Sequence, residues 1–185
     1  MRRAARGEIP LIAAARALPD QWLSLPVAPP EQPVALLQHA AAGVKQATVM
    51  LLGAAMQRYQ ESIADEQEVL LWIADLAIDA YALESAVIRA TRIIGGADDE
   101  VAASHRHAAL IAASEATLRA DAVLRRALPA VLDGDLLRIA SSGAKRLLKM
   151  PWLDQRPWRR ALAAACVARP GTVFGEPVRH GMLAR

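Results

Sequence analysis

The stretch from Asp65 to Ile94, DEQEVLLWIADLAIDAYALESAVIRATRII, is an almost unbroken helical pattern of about eight turns. Leu70, Ile73, Ala74, Ala77, Ile78, Tyr81, Ala82, Ala86 and Val87 fall on one broad apolar face by the i, i+3, i+4 rule. A face of that width has to be buried, so the chain must supply other helices to cover it. Asp65 is placed to cap the first free amides, with Glu68 three positions later in an acidic capping box and Glu66 against the positive helix end. Arg89 and Arg92 in the last turns, followed by Gly95-Gly96, mark the stop.

Two acids, Asp75 and Asp79, sit one turn apart inside this apolar segment. Carboxylates at i, i+4 share a helix face and can hold a proton or an ion between them. The plainer reading is that they line a helix edge and pair with Arg or Lys from a neighbour. No His lies three residues after either acid, so the Glu-x-x-His pattern of bundle di-metal sites is missing.

With 185 residues the chain suffices for one domain with a real core, burying about 70% of its unfolded surface. Its 54% hydrophobic content rests on alanine, while only 4% is aromatic. Helices can therefore approach closely with few large side chains between them, and helix on helix is the natural architecture. A net charge of +3 arises from interspersed signs, with no Arg/Lys run interleaved with aromatics, which argues against a nucleic-acid partner. Cys166 is the single cysteine and reads as a plain buried thiol, compatible with a reducing cytoplasm. His39, His105, His107 and His180 are scattered, with His105 and His107 pointing to different sides of a helix, so no metal site is expected. The longest nearly apolar run, around Ala47 to Met56, is far short of a membrane span, and the start MRRAARGEIP lacks a signal-peptide core.

Taken in order, residues 1–33 read as a linker, closing in the proline-rich LPDQWLSLPVAPPEQP. A first helix is expected from Val34 to Glu61, with Leu37, Ala41, Val44, Ala47, Thr48, Leu51, Leu52, Ala55 and Tyr59 as its stripe and a short turn at Ser62 to Ala64 before the central helix. A third helix opens at Asp98, Asp99 and Glu100 and runs to Leu128, where Pro129 kinks or ends it. Asp133 to Lys149 reads as a fourth, acidic at its start and closed by Lys145, Arg146 and Lys149. A last short helix starts at Pro157 and passes Cys166. The expected fold is an all-α antiparallel helical bundle over residues 34–169, with the linker before it and an irregular tail over 170–185.

The chain has no G-x-G-x-x-G, P-loop, G-x-S-x-G or H-E-x-x-H sequence, and no serine flanked by a plausible base. What it does have is a resemblance. Glu66-Gln67, Ala74-Asp75, Ile78-Asp79 and Tyr81-Ala82-Leu83-Glu84-Ser85 resemble the C-terminal helical extension of the very-long-chain branch of the acyl-CoA dehydrogenases, bacterial type. AAGVKQATVMLLGAAMQRYQ and SEATLRADAVLRRAL are similar to the flanking helices of that extension, in the same order. RRAARGEIPLIAAA resembles the segment that follows the catalytic domain, so that residues 1–33 would be a linker after a catalytic body that is absent here.

The resemblance implies a family of flavoproteins that use FAD to convert a fatty acyl-CoA to the enoyl-CoA in fatty acid β-oxidation. No catalytic, cofactor-binding or metal residue of that family maps onto this sequence, so FAD belongs to the parent family and the chain alone is expected to be inactive. The implied role is packing on the catalytic domain, dimerisation and contact with a membrane surface, with Trp72, Asp75, Asp79, Tyr81, Glu84 and Arg89 as candidate interface or structural residues. Two alternatives stand beside it: one half of a split dehydrogenase completed by an upstream-encoded subunit, and a free-standing interaction module. An exposed apolar patch contributed by Trp22, Leu25, Trp72, Trp152 and Trp158 is expected if the chain is made to pack on a partner.

Overall fold

In the computed structural model the described residues are 13, 28–93 and 99–168. Among them are five α-helices and one 3-10 helix: α1 (Pro33–Tyr59), a 3-10 turn (Gln60–Asp65), α2 (Gln67–Ile93), α3 (Asp99–Val131), α4 (Gly134–Leu147) and α5 (Arg156–Ala168). The helices α1, α2 and α3 pack mutually; α4 packs on α1 and α3, and α5 lies on α3. The chain is an all-α bundle.

Pro33 starts α1 where its missing amide costs nothing, and Leu36 donates to the Gln32 carbonyl at 2.8 Å. The helix stops at Tyr59, earlier than the apolar pattern suggests, because Gln60 turns to a φ of 48°. The short loop expected at Ser62 is a 3-10 helix; the Ser62 hydroxyl donates to the Tyr59 carbonyl and Ile63 plugs into the core. This turn absorbs Asp65. Leu70 donates to the Glu66 carbonyl at 3.0 Å, so α2 opens from Glu66 and the Asp65/Glu68 box is not its start.

The core is small residues wedged between leucines. Leu37, Val44, Leu51, Leu76, Leu124 and Leu147 are the largest fully buried side chains, each contributing about 1.5–3 kcal/mol by burial. Between them Ala40, Ala47, Ala55, Ala113, Ala120 and Ala127 let the helix axes approach. On α2 the buried stripe is Val69, Ile73, Leu76, Ala80, Leu83 and Ala90. That corrects the face read from periodicity: Ile73 belongs to it and Leu70, Ala86 and Val87 are half-buried, but Ala74, Ala77, Ile78, Tyr81 and Ala82 point to solvent.

Pro129 does not end α3, which runs on to Val131. A proline this near a C-terminus removes one ladder bond, and Leu132 still donates to the Leu128 carbonyl at 2.8 Å. Tyr59 donates its hydroxyl to the Ala130 carbonyl at 2.9 Å, satisfying one of the last free carbonyls and tying the end of α1 to the end of α3. Gly134 opens α4 at a φ of +50°, with Asp135 in the first turn and Lys145 and Arg146 in the last. The helix α5 is fixed by Trp158, half-buried and stacked on His107 with ring centroids 6.2 Å apart, and by Gln155 donating to Ser114 Oγ at 2.8 Å. Leu162 and Ala165 continue that inward stripe and leave Cys166 exposed, correcting the buried thiol. The Gly95-Gly96 stop, the acids Asp98 and Asp99 as side chains, most of the 1–33 linker including Trp22 and Leu25, and the 170–185 tail lie outside the described residues.

Candidate functional site

Most of the residues singled out by sequence lie on or beside α2, the exception in orientation being Trp72, which turns half-buried against the core. Arg119 of α3 clamps Asp79: its Nη2 donates to Oδ1 at 2.6 Å and its Nε to Oδ2 at 3.1 Å. The fork matches the planar carboxylate, and the Asp79 side chain is only 17% exposed. The hydrogen bond to Asp79 raises the Arg119 guanidinium above its usual range, against a smaller opposing effect of burial. Asp75, one turn earlier, has no ion-pair partner among the described residues and is exposed. The two acids are therefore held differently, Asp79 by Arg119 and Asp75 in solvent.

Asp75, Ile78, Asp79, Arg119, Val123 and Arg126 line a half-open cleft of about 380 Å³ between α2 and α3. Arg126 turns its Nε onto the Ala122 carbonyl of its own helix at 3.2 Å. Further along the same seam, a second shallow cleft of about 310 Å³ lies among Ser85, Arg89, His105, Ala108 and Ala112. His105 is buried at its floor, whereas His107, two residues on, faces Trp158. Glu84 leaves the seam on the other side and pairs with Lys45 of α1, Nζ to Oε1 at 2.6 Å. Arg89 is exposed, with no ion pair among the described residues.

The outer face of α2 carries exposed apolar side chains: Leu71 is 64%, Ile78 65%, Tyr81 75% and Ile88 52% exposed, and on α3 Leu118 is 64% exposed. This patch differs from the tryptophan patch expected. Trp72 and Trp158 pack against the core, and of the described tryptophans Trp152 alone is fully open. Arg119 and Lys45 are the partners that sequence reasoning missed. Arg119 and Arg126 stand seven residues apart on α3, a spacing that puts both on one helix face and was readable as such.

The chemistry available here is limited. Among the described residues no group of three or more His, Cys, Asp and Glu could hold a metal ion. Neither cleft fits a flavin dinucleotide: Arg119 is already committed to Asp79, Asp75 repels a pyrophosphate, and the second cleft is floored mainly by alanine methyls. No helix among the described residues is long and apolar enough to cross a membrane. What the surface offers is a set of exposed apolar side chains.

Residues 43–146 match the family described as acyl-CoA dehydrogenase, C-terminal domain. A probable acyl-CoA dehydrogenase of Bacillus subtilis (strain 168) is 33% identical over 154 residues, which are 81% of this chain and 25% of that protein. The crystal structure of an acyl-CoA dehydrogenase complexed with FAD from Bacillus anthracis superposes with a TM-score of 0.81 at 30% identity, covering 90% of this chain and 28% of the other. The chain thus spans about a quarter of the length of the relatives it matches. With the family match running from the middle of α1 into the last turn of α4, this chain belongs to the acyl-CoA dehydrogenase C-terminal domain family.

Proposed function

We propose that the chain serves as the C-terminal helical part of an FAD-dependent acyl-CoA dehydrogenase of fatty acid β-oxidation, of the very-long-chain branch, acting in the cytoplasm. Its work is assembly, and the flavin and the catalytic base come from the part of the enzyme that this chain does not match. The observation that carries the reading is the placing of large apolar side chains on the outside of a well-packed bundle, at Leu71, Ile78, Tyr81 and Leu118 on α2 and α3 and at Leu136, Ile139 and Trp152 on and just after α4. Two such surfaces suit two contacts, one with the catalytic body and one with a second copy.

Contact with a membrane surface draws its support from α4 and α5. Residues 134–168 carry seven Lys or Arg against two Asp, with Trp152 fully exposed among them. A split enzyme is the second reading, favoured by the share of the relatives' length that the chain leaves unmatched.

The test is purification of this chain with and without the protein encoded immediately upstream, followed by a flavin absorbance spectrum and an acyl-CoA oxidation assay. Flavin and activity in the mixture, from a partner that is less active or less stable alone, support the reading. A partner equally active without this chain, or no flavin in either sample, overturns it.

A further inference from the structure

We infer that the outer face of α2 is a two-fold interface, on which α2 of a second copy of this chain lies antiparallel and crosses at Ala82. The inference names the surface for the self-association included in the proposed function.

The argument is one of self-complementarity. A two-fold contact requires that each residue of the patch find its complement in the same patch read backwards. On α2 the exposed acid Asp75 and the exposed base Arg89 stand fourteen residues apart, about four turns and ~21 Å along one face. Neither has an ion-pair partner among the described residues. Midway between them, seven residues from each, is the exposed Ala82. An antiparallel copy crossing there sets Asp75 against the partner's Arg89 and Arg89 against the partner's Asp75. The same operation brings the protruding Ile78 opposite the half-buried Ala86, a large side chain over a small one, at both symmetric positions.

The clefts obey the same symmetry. The one holding Asp75 and the one holding Arg89 lie on either side of Ala82 along the α2–α3 seam, so a partner helix entering one leaves by the other. Ile78, which lines the first cleft and is 65% exposed, is covered in the process. The other titratable and charged groups facing it are Asp79 and Arg119, paired with each other, Arg126 on the α3 wall, and His105 at the floor. A partner of unrelated sequence would need an apolar strip here, but nothing would require acid and base to be equidistant from a small central residue.

Sedimentation equilibrium of the purified chain across a concentration series tests this. A dimer is expected. Asp75→Arg and Arg89→Asp each weaken it about tenfold or more, because each sets like charges together at two places, and the double exchange restores affinity to within a few fold. In a Cys166→Ser background, Ala82→Cys cross-links to its own copy on addition of diamide, whereas Ser142→Cys on the exposed side of α4 does not. Circular dichroism confirms that each variant is folded. A monomer throughout, a dimer indifferent to both reversals, or an Ala82→Cys variant that does not cross-link overturns the inference. These readings are made on the chain alone, so they fail separately from the flavin and activity assays of the dehydrogenase reading.

Discussion

Gly43 of α1 lies directly beneath the carbonyl of Leu147 in the last turn of α4, so close that a Cβ on Gly43 would come within 2.1 Å of that oxygen. The obstacle is backbone, which cannot rotate away as a side chain could. Gly43→Ala therefore forces α4 off α1 and is expected to destabilise the fold by about 1–3 kcal/mol. Gly134→Ala meets nothing in space, but its φ of +50° carries a backbone penalty of about 1 kcal/mol. Urea denaturation midpoints check both, and a Gly43→Ala midpoint equal to the wild type would place α4 elsewhere.

Asp79 and Arg119 form the best-formed ion pair of the seam. Asp79→Asn is expected to cost about 1 kcal/mol, since Arg119 is more than half exposed and water shares it. A double-mutant cycle with Arg119→Gln isolates the coupling, which should shrink in high salt. A coupling of zero would mean that the fork is ornamental to stability.

The Tyr59 hydroxyl reaches across 71 residues of sequence to the Ala130 carbonyl. Tyr59→Phe keeps the ring packed and removes one hydrogen bond, so a loss of about 0.5–1.5 kcal/mol is expected. Faster amide exchange at the end of α3 should accompany it, and unchanged exchange there would show that water replaces the contact fully.

Partial burial against Trp158, and secondarily the neighbouring Arg106, lowers His107 from its ordinary 6.5. The unfolded chain then binds more protons than the folded one between the lowered value and 6.5, so stability rises with pH across that window. Thermal midpoints should fall as the buffer is taken from pH 7 toward pH 5, and His107→Gln should flatten the slope. A slope that survives the substitution would place the effect on another group.

Much of the fold was legible because its punctuation is chemical. Pro33, Pro157 and the acid-to-base order from Asp135 to Arg146 mark helix ends wherever such residues occur. The buried side of α2 was not legible, for a physical reason. Ile78, Tyr81 and Ala82 on the outside are as apolar as Leu76, Ala80 and Leu83 on the inside, so periodicity has two solutions on nearly opposite faces. The clamp of Asp79 by Arg119 depends on the register between α2 and α3, which no single helix pattern contains. The extension of α3 past Pro129 depends on how near its end that residue falls.

The six-residue 3-10 turn between α1 and α2 bears on the order in which the chain acquires structure. Two long helices joined so tightly meet at little loop-closure cost, whereas α3 must be brought back over a much longer stretch to reach Tyr59. The α1–α2 pair is then expected to gain protection in pulsed hydrogen exchange before the α1–α3 contact at Tyr59, and α5, held to α3 through Gln155 and Trp158, last. Protection of α3 ahead of α1 and α2 would contradict that order. Until α3 arrives, the outer face of α2 and the part of its inner stripe that α3 covers are open to water, and that interval is when the nascent chain is most exposed to aggregation and proteolysis.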